Sequence, residues 1–361
     1  MADVANRLPE NVEGRFFVDS TCIDCDTCRQ IAPATFGETG AFSYVRSQPR
    51  DAGEERAAFR ALVACPTGSI GAAGKGGAKE AVEEFPWPLA PGVWYCGFAS
   101  RKSFGGSSYF VEHPGGNWLV DSPRYVEHLV RRFAQMGGIR YIFLTHRDDV
   151  ADAARYAARF GATRIVHRLE LAAQPGAERV IDGGEAQELA PGFLAIPTPG
   201  HTAGHCALLY GGRFLFAGDH LWWSRARGRL TASRDVCWHS WRQQVASVKL
   251  LERYEFEWVL PGHGERVHFP YARMKHELAR LVAALEHTGS RREAVGELAP
   301  ALTVLRQLEP IPAIVVLHYV ASRKTIAEPD DNALTSRYTS SDQTLVPVVS
   351  ASPTDSIVLP F

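Results

Sequence analysis

Beyond residue 92 the chain breaks into short apolar runs separated by turn residues. Ser107–His113, Asn117–Asp121, Arg140–Thr145, Thr163–His167, Phe193–Thr198, Cys206–Tyr210, Arg213–Ala217 and Trp258–Leu260 predict strands. Ser122–Gln135, Asp149–Phe160, Ser240–Tyr254 and Tyr271–Glu286 repeat their apolar residues at helical spacing and predict helices. Asp149 has the residue type of an N-cap for the second of these helices. Gly211-Gly212 joins two strand-like runs as a hairpin turn would. Strands interleave with helices, yet hairpin pairs occur too. The expected class is therefore α+β, sheets covered by helices, and not a doubly wound nucleotide fold. No Gly-x-Gly-x-x-Gly follows a predicted strand.

The flanks differ. Residues 72–92 are rich in Gly and Pro and read as a linker. From 288 to 361 the chain forms a C-terminal extension. A helix-like stretch over 291–308 leads to the apolar run Ile314–Val320. The Ser-, Thr-, Asp- and Pro-rich segment 323–361 is expected to be disordered. The domains expected are 14–71, small, and 93–287, large.

Composition narrows the partners. The 361 residues suffice for two compact domains. Net charge is −1, so no one-sided field points to nucleic acid or an anionic membrane. No apolar run reaches the roughly 18 residues of a membrane span. The first residues show no basic region leading into an apolar one, so no signal peptide is expected. Four of the seven cysteines group together. Cys96, Cys206 and Cys237 are scattered, which fits buried free thiols and a reducing cytoplasm.

The four grouped cysteines are Cys22, Cys25 and Cys28 at three-residue spacing and Cys65, which is followed by Pro66. Three closely spaced thiolates wrap one face of an iron–sulfur cube, and a distant Cys-Pro closes it. The alternative is zinc, which usually takes two Cys-x-x-Cys pairs or Cys/His mixtures. The pattern resembles the bacterial ferredoxins. Ala32-Pro33 stands where a two-cluster ferredoxin carries Cys-Pro, and no second Cys-x-x-Cys precedes Cys65. The resemblance implies one 4Fe–4S cluster on Cys22, Cys25, Cys28 and Cys65. Asp24 and Asp26 lie inside the loop, and their charge tends to lower the cluster potential.

A second constellation lies at predicted strand ends. It comprises Thr145-His146-Arg147-Asp148-Asp149, Gly200-His201-Thr202-Ala203-Gly204-His205, Gly218-Asp219 and Gly262-His263-Gly264. His and carboxylate side chains just after strands can converge on one rim and hold a metal. Each motif alone is weak; order, spacing and Gly neighbours together are not. Over roughly residues 93–287 the chain resembles the metallo-β-lactamase superfamily, with its αββα sandwich. The resemblance makes His146, His201, Asp219 and His263 metal ligands, Asp121 a buttress of the metal loop, and His205 a brace.

The match is incomplete. The family's first motif is His-x-His-x-Asp-His. Here Asp148 stands at the second His, and Val150 and Ala151 stand at the Asp and last His. The expectation is one Zn or Fe ion held by His146, Asp148 and His201 with Asp219 shared. The second position would keep only His263 and part of Asp219. Asp152, one turn beyond Asp148, is a candidate substitute for the missing Asp. Two His and two carboxylates suit zinc or iron by ligand type. A carboxylate at the second position also resembles flavodiiron proteins. His220 is a further candidate near the site. Trp222-Trp223, Arg225, Arg227 and Arg229 form either a loop that grips an acidic small molecule or a solvated loop.

Two functions follow. One is a metal-dependent hydrolase or oxidoreductase acting on a small molecule, with Asp148, or else Asp152, the candidate catalytic proton acceptor and the cluster passing electrons, docking or sensing redox state. The other is an electron-transfer module on a catalytically degenerate scaffold. A redox partner protein fits either. Nucleic acid and membrane do not.

Overall fold

The computed structural model describes residues 2–74 and 76–287. The small N-terminal part has β1 (Phe16–Val18), α1 (Thr27–Ile31), β2 (Phe36–Glu38), β3 (Ser43–Val45), α2 (Ala52–Ala64) and β4 (Ile70–Ala72). β1 pairs antiparallel with β4, and β2 with β3. Asp51 caps α2 by accepting from Glu54 N. Phe16 packs edge-on to Phe59 of α2, so the paired strands and the helix share one core.

Next come α3 (Ala78–Glu83), β5 (Trp87–Ala90), β6 (Val93–Tyr95), β7 (Tyr109–Val111) and β8 (Trp118–Val120). They lead through α4 (Glu127–Gln135), β9 (Tyr141–Phe143), α5 (Ala153–Phe160), β10 (Thr163–His167) and β11 (Arg179–Ile181). The seven strands form one sheet in the order β11-β10-β9-β8-β7-β6-β5. Segment 72–92, read as a linker, thus carries a helix and an edge strand. Its Gly and Pro residues obscured the alternation, and partners supplied from the large sheet make the strand.

A second sheet follows, built from β12 (Gln187–Ala190), β13 (Phe193–Pro197), β14 (Cys206–Tyr210) and β15 (Phe214–Gly218). A hairpin of β16 (Trp222–Ser224) and β17 (Arg229–Thr231), then α6 (Trp241–Leu250), interrupt it before β18 (Trp258–Pro261) and β19 (Val267–His268) complete it. Its order is β12-β13-β14-β15-β18-β19. A helix over 271–287 follows.

Alternation along the second sheet explains the layering. Phe193, Leu208, Phe214, Phe216 and Leu260 face the first sheet, with Trp118 stacked on Phe193 at 4.1 Å between ring centres. Their neighbours Ala207, Leu209, Leu215, Ala217 and Val259 face the other way, against Val248 of α6 and Met274 and Leu278 of the last helix. Both faces are apolar because both are covered. α4 and α5 bury Leu129, Phe133, Tyr156 and Ala157 in the other core. The result is the αββα sandwich.

Each of the eight predicted strand runs contains a strand. α4 starts at Glu127, five residues later than predicted, after an extended stretch that includes Pro123. α5 starts at Ala153, and Asp149 does not cap it. No described helix is long and apolar enough to cross a membrane. The expectations for 288–361, including the helix-like stretch, Ile314–Val320 and disorder over 323–361, lie outside the described residues.

Candidate cluster pocket and metal centre

Cys22, Cys25, Cys28 and Cys65 line one small cavity together with Val18, Ile70 and Pro66. The loop before α1 brings three of them round through Asp24 and Asp26, both at positive φ. The end of α2 brings the fourth. Ser43 N points at Cys22 Sγ at 3.4 Å, and Thr27 Oγ1 lies 3.4 Å from Cys25 Sγ. Burial pushes the Cys28 thiol far up and the Cys25 thiol to about 11. Four thiols lining one small apolar pocket, Cys28 and Cys65 buried and Cys22 and Cys25 half-buried, fit a cluster whose iron replaces their protons. Asp24 and Asp26 are ion-paired to Arg29 at 2.5 and 2.8 Å, so much of their charge is compensated.

The metal centre sits where both sheets end. His146 follows β9, His201 follows β13, Asp219 follows β15 and His263 follows β18. His201 Nε2 lies 3.4 Å from Asp148 Oδ2 and 3.6 Å from Asp219 Oδ2. His146 Nε2 lies 3.8 and 3.6 Å from the same two oxygens. His263 Nε2 lies 3.9 Å from Asp219 Oδ2 and equally far from Asp149 Oδ1.

Asp149 is the residue that sequence reasoning missed. The 3₁₀ turn Arg147–Asp149 points it inward, fully buried, into space left bare by Gly106 and Gly262. A Cβ on either glycine would collide with its carboxylate. Asp149 therefore stands where the gapless motif reading had Val150, and the loop is one residue tighter than that reading assumed. Ala151, at φ 32°, absorbs the turn. Asp152 is not a substitute: its oxygens take Lys102 Nζ at 2.7 Å and Tyr125 N at 2.9 Å. The signal available was the glycine pair 105–106: the turn there needs Gly105, at φ +90°, but not a second glycine at 106.

Hydrogen bonds fix the imidazole tautomers. Thr145 Oγ1 lies 3.0 Å from both oxygens of Asp121 and donates there, so it accepts from His146 Nδ1 at 2.9 Å. Val236 O accepts from His201 Nδ1 at 2.5 Å. Both Nε2 lone pairs are thereby aimed at the centre. Asp121 holds the loop, with φ 55° and Thr145 N donating to it at 2.8 Å. His205 braces, its Nδ1 on Thr198 Oγ1 at 2.8 Å. His220 does not reach the donor set. It stacks behind His205 at 5.3 Å, and burial lowers it to about 3.

Buried polar atoms without a partner are costly, and this centre collects them. His146 Nε2, His201 Nε2, both Asp149 oxygens and Asp219 Oδ1 have no hydrogen-bond partner. Burial and the charge of Asp219 push Asp149 well above the carboxylate range. Burial opposes the protonation of His146, but Asp219, Asp149 and Asp121 outweigh it and raise His146 to about 10. The protein thus draws protons to a point that a divalent cation suits better. His146, Asp148 and His201 fit one ion; His146, Asp149 and Asp219 crowd a second point beside His263.

A cavity of about 1350 Å³ opens over this rim and is walled by both domains. Asp24, Arg29 and Glu38 face it from the small domain; Asp148, Trp222, Arg225 and Trp238 face it from the large one. Arg225 pairs with Glu265 at 3.2 Å, so the aromatic and basic hairpin is a wall of the cavity with part of its charge already used.

Residues 18–72 match the family of the single-cluster 4Fe–4S domain of ferredoxin I, and residues 101–263 match the metallo-β-lactamase superfamily. A hydroxyacylglutathione hydrolase from Acidiphilium cryptum is 33% identical over 153 residues, 39% of this chain and 59% of that protein. Its counterpart from Rhizobium meliloti is 34% identical over 140 residues, 37% and 53% of the two chains. The chain thus spans little more than half the length of these curated relatives. Among solved structures, TTHA1623 in a di-iron-bound form is 26% identical and covers 51% of this chain and 94% of its own, with a TM-score of 0.38. The metallo-β-lactamase family protein TTHA1429 from Thermus thermophilus is 19% identical, covers 57% and 82%, and has a TM-score of 0.41.

Proposed function

From a chain that joins a single-cluster ferredoxin domain to a metallo-β-lactamase-superfamily domain, we propose a redox-linked metalloenzyme that acts on a small molecule in the cavity between the two. The carrying observation is the second carboxylate, Asp149, which completes a donor set for two ions beside a wall supplied by the cluster domain. His146, Asp148, His201 and Asp219 would hold one ion, and Asp149, Asp219 and His263 would hold the other, with His146 close by. Bound there, iron exchanges electrons, and iron or zinc polarises a substrate and activates water.

The chain's own groups supply the rest. Asp148 is half exposed, and the imidazoles of His201 and His146 beside it lower it below the usual carboxylate range, so it is ionised and faces the cavity. It acts as ligand and as acceptor of a substrate proton. Trp238 stands against His201 at 6.0 Å and Phe104 against His263 at 6.3 Å, leaving an apolar wall on each side of the reacting centre. An electron-carrier protein is the proposed source for the cluster.

A second reading, thioester hydrolysis with the cluster as sensor, is favoured by the hydroxyacylglutathione hydrolases. One experiment separates them. Anaerobically purified protein is assayed for iron, zinc, manganese and sulfide per chain, and turnover is compared before and after dithionite. Iron beyond the cluster and reductant-dependent turnover support the redox enzyme. Zinc, with thioester cleavage indifferent to reductant, supports the hydrolase. No metal beyond the cluster refutes both.

A further inference from the structure

Two consecutive glycines separate the two centres. Gly105 lies against the cluster pocket: a Cβ there would sit 2.6 Å from Cys25 Cβ and 2.8 Å from its Sγ. Its carbonyl accepts from Thr27 Oγ1 at 3.1 Å, which ties it to the cluster loop. Gly106 lies against Asp149, whose carboxylate fills the space a Cβ would need. Ser107 N then donates to Gly262 O at 2.7 Å, and Gly262 closes the far side of the same carboxylate. A cluster ligand and a metal-centre carboxylate thus rest on neighbouring residues of one stretch of backbone. Cys25 Sγ and Asp149 Oδ1 are no more than about 12 Å apart, since each is near a glycine Cα and adjacent Cα atoms are about 3.8 Å apart.

The chain spends two side chains to achieve this. Gly105 is at φ +90°, where other residues are strained, whereas Gly106 is not in that region. Conformation therefore explains the first glycine but not the second. Close approach explains both.

We propose that Gly105–Gly106 is the spacer for direct electron transfer between the cluster, on its Cys25 side, and an ion at Asp149, Asp219 and His263. The electron enters at this position and not at the one bounded by Asp148, which faces the cavity. The step is balanced: the reduced cluster loses one electron, a ferric ion at Asp149 gains it, and no bond is made or broken. This rests on the metal-binding reading above and specifies which position is redox-linked.

The test uses the full chain with its cluster intact, loaded at the metal centre with Mn(II) or with Zn(II) and reduced by dithionite. Microwave power saturation of the reduced-cluster resonance is read. Paramagnetic Mn(II) should raise the half-saturation power by an order of magnitude or more over Zn(II). Asp149→Ala should remove one ion and most of that increase. Gly106→Ala should displace Asp149 and weaken the increase while cluster iron and sulfide stay constant. In a second measurement the centre carries ferric iron and the cluster receives one electron. The ferric resonance should vanish before the cluster resonance accumulates. Equal saturation with stoichiometric Mn(II) and Zn(II), or a persistent ferric signal beside a reduced cluster, overturns the spacer and leaves metal binding standing. No ion bound in any form overturns both. If Gly106→Ala fails to fold, Asp149→Ala and the metal exchange still decide.

Discussion

The cluster pocket and the metal centre are built in opposite ways. The pocket takes three of its four ligands from one seven-residue loop, in a domain with two short strand pairs and one long helix. The metal centre takes its donors from four strand ends of two large sheets, with a stacked aromatic core beneath. A scaffold that small depends on what it binds, because its own core is thin. A sandwich covered on both faces keeps its loops in place whether or not an ion is present.

Removing a cluster ligand tests the first half and should have the largest effect. Cys65→Ser should lose the iron–sulfur absorption and unfold residues around β1–β4, seen as lost amide protection there. Full protection in colourless protein would show that the small domain folds on its own core.

The reverse test is Trp118→Ala. It should cost about 3–5 kcal/mol of stability in the sandwich, read by denaturant melts. Cluster absorbance should change little under native conditions. Chelation, by contrast, should leave the sandwich folded; collapse on chelation would erase the contrast.

Within the metal centre, Asp149→Ala should lower affinity for one ion by at least about tenfold, whereas Asp152→Asn should leave both ions. Metal titration of the two variants decides. Equal losses would return Asp152 to the donor set.

The smallest effect expected is on pH. Without metal, His146 is raised from 6.5 to about 10, since carboxylate charge outweighs burial. A raised folded value stabilises fully below the unfolded value and is lost as pH rises through the folded one. Metal-free protein should therefore lose stability between about pH 7 and 10, and metal-bound protein less, because the ion replaces the proton. Parallel melting curves for the two forms would refute this.

Much of the fold was legible. The eight strand runs and the cysteine spacing carried through, because period-2 burial and ligand spacing are local properties. β5 was not, since its pairing with β6 lends it a partner that composition does not advertise. Asp149 read as a helix cap because acidic residues before apolar runs usually are caps. Nothing local distinguished that from a carboxylate turned inward.

By itself, the sequence determined which chemistry is available: four thiols that group, three histidines and several carboxylates at strand ends. Only the tertiary structure decided which carboxylate enters the centre, which stays on a lysine, and how close the two centres stand. The physical reason is that these depend on vacant space. Gly105, Gly106 and Gly262 make room by having no side chain, and what fills that room comes from distant parts of the chain.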